Sequence, residues 1–344
     1  MPPKIGFPMT LTYFMHFPLW KIFFTELGFE FVTSQPTNKL ILNNGIKEAV
    51  TDACIPIKLF HGHVMALKSK VDYIFIPRMV NIDKEKHITF CPKFLGLPDM
   101  IRASISNLPP ILEISLDKKN KGKLFLYKAC RLLGRQLGKP FNKVLKAYLK
   151  AVKFQKKFEN FLVSKKITPI EAFDYLFKDK NRVNNTKYNR KQTDREINKA
   201  TSLENNLNIA VVGYPYQIYD SYISADIINF LKKNNVRVWT MEMVPYSILK
   251  RYSNRLSKKL FWHFSNKVVW ASYHYIDQPY IDGLIHVSAF GCGPDAMVGK
   301  LVELECKYRN FPFLNITVDE HTGDAGIKTR IEAFIDMLRY RRTA

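Results

Sequence analysis

Apolar and polar positions along the chain follow two periods. Short runs rich in Ile, Val and Phe read as buried strands, and longer stretches with apolar residues three and four apart read as amphipathic helices. The first third predicts strands at Lys4–Phe7, Phe29–Thr33, Val71–Pro77 and Pro110–Ser115. Helices are expected at Trp20–Leu27, Lys39–Val50, Ile57–Lys68 and Leu95–Ile105. From Lys121 to Phe177 the pattern is helical without strands, and Thr168-Pro169 gives its last helix a cap and a first-turn proline. Lys178 to Asn206 has little apolar content and no period, and so reads as a linker. A second alternating stretch follows, with strands at Asn208–Gly213, Val236–Met241, Gly283–Val287 and Phe313–Val318. Its helices are expected at Ser221–Lys233, Ile248–Leu260, Phe261–Tyr275, Ala296–Tyr308 and Ala325–Tyr340. Strands alternating with helices make parallel sheets. The expected fold is therefore α/β: two Rossmann-like parallel-sheet domains, 1–117 and 207–344, with a basic helical segment at 118–177 and a linker at 178–206.

Composition narrows the class. With 344 residues, 47% of them hydrophobic, the chain can bury the cores of two domains. Five widely spaced cysteines, an odd number, do not form a disulfide framework and suit a reducing compartment, so a cytoplasmic location is expected. Pro8, Pro18 and Lys21 interrupt the apolar N-terminus, and no run reaches the roughly 18 apolar residues of a membrane span. The formal net charge is +23, and Lys118 to Phe158 holds fourteen Lys or Arg with no Asp or Glu. No RNA-binding aromatic signature, Cys/His finger or Gly-rich KH-type loop accompanies this charge. A solvated helical face, or a docking surface for an acidic protein or a phosphate-bearing cofactor, ranks ahead of nucleic acid.

Three cysteines share a local grammar: Cys54 in "DACIPIKLFHGH", Cys91 in "ITFCPKFLGLPD" and Cys292 in "FGCGPDAMVGK". Each has a proline one or two residues on and stands where a loop or extended stretch feeds a predicted helix. Helix N-termini present unpaired N–H donors and a positive dipole end, which favour a thiolate or a bound anion. Packing alone remains an open reading of these positions. If the three converge, two α/β units supply three thiolates to the cleft between them. A cubane so held leaves one iron without a protein thiolate, free to act as a Lewis acid toward a substrate oxygen. Cys130 and Cys306 lie inside helical patterns and read as packed residues.

The segments "IGFP", "FPLWKIFFTELGFEFVTSQPTNK", "DACIPIKLFHGHV", "DYIFIPR", "CPKFLGLPDMIR", "VVGYPYQIYD", "GCGPDAMV" and "PFLNITVDEHTGDAGIKTRIEAFIDML" together carry a resemblance over nearly the whole chain. They resemble the acyl-CoA dehydratase activase-related proteins, relatives of the 2-hydroxyacyl-CoA dehydratase subunits, a group that includes the double-cubane-cluster reductases. The resemblance implies a 4Fe-4S cluster on Cys54, Cys91 and Cys292 in the interdomain cleft. It implies a separate ATP-hydrolysing activase of the sugar kinase, Hsp70 and actin type, which delivers one low-potential electron. It further implies an acyl-CoA substrate, lyase chemistry of the dehydratase type, and either a second dehydratase subunit or a homodimer. A larger double-cubane cluster reducing small molecules is the rival within the family, and a non-catalytic electron relay the rival outside it. The chain has no G-x-D-x-G-S phosphate loop and no Walker A motif of its own. It departs from the family at Tyr214, where histidine is expected, which weakens a proton-transfer role there.

Further candidates surround these motifs. His61 and His63 are two residues apart on one predicted helix, so at most one can look toward the cysteines, and His63 is favoured. Either also reads as a hydrogen-bonded structural imidazole. Glu320 and His321 in "DEHTG" follow a predicted strand, at the carboxyl end where open α/β sheets bind ligands, and are candidate acid/base groups. The same loop could simply cap the last helix. Arg78 and Lys93 could meet a substrate carboxylate or the cluster's charge, or form surface ion pairs.

Overall fold

The structure, a computed structural model, describes residues 1–83, 85, 87–177 and 206–343. Two four-stranded parallel sheets organise the chain. The first contains β1 (Lys4–Phe7), β2 (Glu30–Thr33), β3 (Tyr73–Asn81) and β4 (Ile111–Asp117) in the order β2-β1-β3-β4. The second contains β5 (Leu207–Gly213), β6 (Val236–Thr240), β7 (Gly283–Ala289) and β8 (Phe313–Val318) in the order β6-β5-β7-β8. The α/β class is as expected, and both sheets repeat one topology. In each, the strand order reverses between the first and third strands, the crevice where ligands of such sheets bind.

Helices α1 (Tyr13–Glu26), α2 (Lys39–Glu48), α3 (Ile55–Leu67), α4 (Pro92–Leu95) and α5 (Leu97–Ser104) belong to the first unit. The basic stretch forms α6 (Lys118–Lys121), α7 (Phe125–Gln136), α8 (Phe141–Lys165) and α9 (Pro169–Phe177). The second unit carries α10 (Pro215–Ile218), α11 (Ile227–Lys233), α12 (Tyr246–Leu249), α13 (His263–Ile276), α14 (Gly293–Tyr308) and α15 (Asp324–Thr343).

Four expectations need correction. The first helix, expected from Trp20, begins at Tyr13 and runs through Pro18. The helix expected from Ser221 begins only at Ile227, because Ala225 and Asp226 take left-handed φ values of 51° and 55° that interrupt it. Instead of one helix over Ile248–Leu260 there is the short α12 and a 3-10 turn at Lys250–Arg255, where Ser253 and Asn254 favour turns over a continuous helix. The expected helix over Leu95–Ile105 starts earlier, at Pro92, and breaks at Gly96. The predicted linker lies outside the described residues apart from Asn206.

One apolar core runs through both units and the helical segment. Along α8 the buried residues Val144, Ala147, Ala151, Phe158 and Leu162 form a stripe that packs on α1. Its lysines face outward: Lys143, Lys146, Lys150, Lys153, Lys156 and Lys157 are all exposed. The basic run is thus a solvated face over an apolar seam. No helix among the described residues is long and apolar enough to cross a membrane.

Helices α2 and α3 meet backbone to backbone. A Cβ on Gly62 would stand 1.9 Å from the carbonyl oxygen of Ile41, and one on Gly45 would stand 1.9 Å from that of Lys58. Only glycine fits at this crossing, which sets the position of the helix that Cys54 begins.

Candidate functional site

Cys54, Cys91 and Cys292 line one small pocket with a cavity volume of about 30 Å³. Each is the N-cap residue of a helix, α3, α4 and α14 respectively, and each helix has proline in its first two positions. Cys54 and Cys91 have nearly the same backbone, φ −63° for both with ψ 153° and 155°. In none does the side chain cap its helix. Even so, the third-residue N–H (Ile57, Phe94 and Asp295) is near enough to each sulfur to favour its anion, without reaching hydrogen-bond geometry. Gly291, at φ 73°, brings the Cys292 turn against Cys54: a Cβ there would lie 4.0 Å from Cys54 Cα. An L-residue would be strained in that conformation.

The pocket gathers the carboxyl ends of the central strands of both sheets. Leu11 follows β1, Phe90 and Cys91 follow β3, Tyr214 and Tyr216 follow β5, and Cys292 and Pro294 follow β7. Its wall is aromatic. Phe94 lies 5.9 Å from Tyr216 and 6.2 Å from Phe264, and Phe90 stacks on His263 at 4.9 Å. Burial pushes all three thiols up; Lys93 draws Cys54 partly back, whereas Asp295 pushes Cys292 further. Held in this apolar wall the sulfurs are neutral thiols, and a bound cation would deprotonate them. Among the described residues, no three His, Cys, Asp or Glu side chains come together closely enough for a single metal ion.

Two buried polar chains support the site. Asp295, wholly buried in the first turn of α14, accepts from Gln217 Nε2 at 2.9 Å and from the Ala289 N–H at 3.3 Å. Its other oxygen is 3.3 Å from Nε2 of buried His286, whose Nδ1 is 3.0 Å from Asn315 Oδ1. Asp295 thus anchors the Cys292 turn to β5's loop and to β7 instead of capping its own helix. Beside Cys91, His263 Nδ1 pairs with Asp83, which also accepts from the Tyr246 hydroxyl at 2.8 Å. Burial, and then Lys267, lower His263 to about 4. Burial alone would raise Asp83, but its bonds from His263 and Tyr246 outweigh that and leave it at about 2. A neutral imidazole donating Nδ1–H to a carboxylate leaves Nε2 as an acceptor.

The remaining predicted residues are dispersed. His63 is not in the pocket wall. Ser34 Oγ lies 2.8 Å from its Nδ1 and Thr37 Oγ1 3.0 Å from its Nε2, and Thr37 in turn donates to Asp220 of the second unit. His61 is also buried, with Nδ1 2.8 Å from the Ile57 carbonyl. Arg78 sits inside β3, held by Glu113 at 2.7 Å and by Asp99 at 2.7 and 2.9 Å, and it donates to the Leu95 carbonyl, bracing the segment after Cys91. Lys93 donates to the Asp52 carbonyl at 3.1 Å, spanning the Cys54 and Cys91 turns. Glu320 is ion-paired with buried Lys58 on α3, and His321 is exposed in a turn where its N–H donates to Asp319 at 2.7 Å. Cys130 and Cys306 are core residues, each 1% exposed. Tyr214, the departure from the expected histidine, lines the pocket with its hydroxyl 2.7 Å from Ser265 Oγ. The sequence reading missed the His263–Asp83 pair and the Thr37–Asp220 link. Their partners are about 180 residues apart, and neither stretch carries a local motif.

The His63 chain has a pH consequence. Burial holds His63 near 3, against 6.5 when free, so the unfolded chain binds the extra proton and stability is lost as pH falls from about 6.5 toward 3. Buried Asp220 runs the other way: raised from 3.8 to about 6, it favours the folded state more at low pH than above 6. The histidine shift is the larger, and His16, also held near 3, adds to it. The acid limb of stability should therefore be steep between pH 6.5 and 4. In urea titrations His63→Gln should flatten it by about one proton, about 1.4 kcal/mol per pH unit. An unchanged slope would show that His63 is already protonated in the fold.

A family model described as the CoA enzyme activase uncharacterised domain matches residues 4–244, more than two thirds of the chain. The chain belongs to this family. The CoA enzyme activase domain match takes in the first sheet, Cys54, Cys91 and β5, and ends ahead of Cys292. It accords with the acyl-CoA dehydratase activase-related resemblance read from the motifs. No curated protein matches the chain.

Proposed function

We propose that Cys54, Cys91 and Cys292 hold a 4Fe-4S cluster, making this chain the cluster-bearing component of an ATP-driven, low-potential system of the 2-hydroxyacyl-CoA dehydratase type. The observation that carries the reading is the shared pocket: three thiols from three N-cap positions on one apolar, aromatic wall. The donor set fits the group. All three are sulfur, the soft ligand that iron–sulfur clusters take, and no carboxylate lines the pocket beside them. The lack of a single-ion site is consistent with this, because cluster thiolates bond separate irons. Such a cluster supplies one-electron reduction and, at an iron without a protein thiolate, a Lewis acid.

The chain's own residues would do the rest. Phe90, Phe94, Phe264 and Tyr216 keep water from the thiols, which strengthens every electrostatic interaction there. His263, fixed by Asp83, offers a neutral nitrogen able to accept a hydrogen bond beside the pocket. Lys93 neutralises part of the charge that three thiolates bring. The electron donor would be a separate ATP-hydrolysing activase, and an acyl-CoA the substrate.

Anaerobic purification followed by iron and sulfide analysis and EPR tests the proposal. The expected result is four irons and four sulfides per chain. Eight irons would replace the reading with the double-cubane one, and iron at background level would sink both.

A further inference from the structure

We propose that the cleft between α8 and the 241–249 segment is a second small-molecule site, taking an amphipathic organic anion that also carries a hydroxyl or amide. The cleft holds about 680 Å³, within the range of ligand pockets, and shares no lining residue with the cysteine pocket. Its body is apolar, with Leu162 on one side and Val244 and Leu249 on the other.

Two polar groups on its wall are only partly satisfied by the protein. Glu242 is 8% exposed; one carboxyl oxygen accepts from the Tyr219 hydroxyl, while Oε1 is buried with no hydrogen-bond partner. Glu242 lines the cleft, and its unpartnered Oε1 lacks a hydrogen bond that a ligand group could supply. Lys267 makes no hydrogen bond or ion pair among the described residues, and its ammonium lies 5.9 Å from the centroid of the Tyr246 ring. An anionic head satisfies Lys267, a hydroxyl or amide satisfies Glu242, and the apolar wall takes what joins them. Lys267 is one turn beyond His263 on α13, and the Tyr246 hydroxyl bonds to the Asp83 that holds His263. The two pockets are thus joined by one hydrogen-bonded group.

Anilinonaphthalene sulfonate combines a sulfonate, an amine N–H and fused rings, and its fluorescence reports binding. Titrated into the full chain, it should show one saturable site. Lys267→Met should weaken that site tenfold or more, and Val163→Trp, which fills the cleft, should abolish it. Lys258→Met, an exposed control, should leave it unchanged. 6-Hydroxyhexanoate should displace the dye where hexane-1,6-diol does not. Iron content, read on the same samples, should stay at the unsubstituted level, so failure here is separate from failure of the cluster reading. If Val163→Trp lowers the thermal midpoint, Lys267→Met decides. Unsaturable binding, or saturable binding indifferent to Lys267→Met, overturns the proposal.

Discussion

Cys292→Ser, purified without oxygen, is expected to retain at least about tenfold less iron and sulfide than the unsubstituted chain. Even outer-shell changes at metal sites cost about 10- to 100-fold in affinity, and a lost thiolate costs no less. Serine keeps the volume and the N-cap position but offers a harder, poorly ionised oxygen. Cys292 is the informative choice because it is the one pocket-lining cysteine from the second sheet. Its loss tests both the ligand set and the idea that the site is shared between the units. Cys130→Ala and Cys306→Ala are the controls. Both thiols are buried in helices away from the pocket, so iron should be unchanged while stability falls by about 1 kcal/mol. Iron and sulfide unchanged in Cys292→Ser would exclude this cysteine as a ligand.

Gly62→Ala should, with Gly45→Ala, be one of the two most damaging added methyl groups at the glycines of the first unit. The new Cβ would overlap the Ile41 carbonyl, and backbone on both sides cannot yield as a side chain could. Helices α2 and α3 must then separate, at a cost of about 3 kcal/mol or more in chemical denaturation. Cys54 moves with its helix, so the surviving folded protein should also bind less iron. Gly138→Ala provides the contrast: that glycine has open space around it and only its φ of 62° to resist a side chain, so about 1 kcal/mol is expected. Equal losses at the two positions would mean that the helix crossing is looser than 1.9 Å implies.

Much of this arrangement was readable along the chain, and the physics says which part. Strands β1 and β8 match their predicted limits for different reasons: β1 is a short, mostly buried apolar run, whereas β8 is an edge strand whose buried Ile316 and Val318 alternate with exposed Asn315 and Thr317. The cysteines were legible because helix starts have local chemistry: a thiol, a proline in the first turn, a glycine where φ must be positive. For Glu320 and Arg78 the sequence left two readings open, because a charge at a strand's end or within it looks the same whether it meets a ligand or an ion-pair partner. Here Lys58 pairs with Glu320, and Asp99 and Glu113 each pair with Arg78. His263 could not be found at all. Its partner Asp83 is 180 residues away, and nothing in "LFWHFSN" marks the imidazole as more than an aromatic neighbour.

The loop from Asn81 to Phe90 ends in an isolated bridge between Thr89 and Trp262, flanked by the Asp83–His263 and Glu85–Lys259 pairs. This lashing sets a timetable for biosynthesis. At roughly 5 to 20 residues per second, ribosomal synthesis takes about 10 to 40 s to travel from Cys91 to Cys292. Throughout that interval the first two thiols have been made and the third has not, and Tyr216 and Phe264 of the aromatic wall are added only in its later part. The pocket is therefore completed from its far side, and the nascent chain is the form in which Cys54 and Cys91 are most open to solvent and to oxygen.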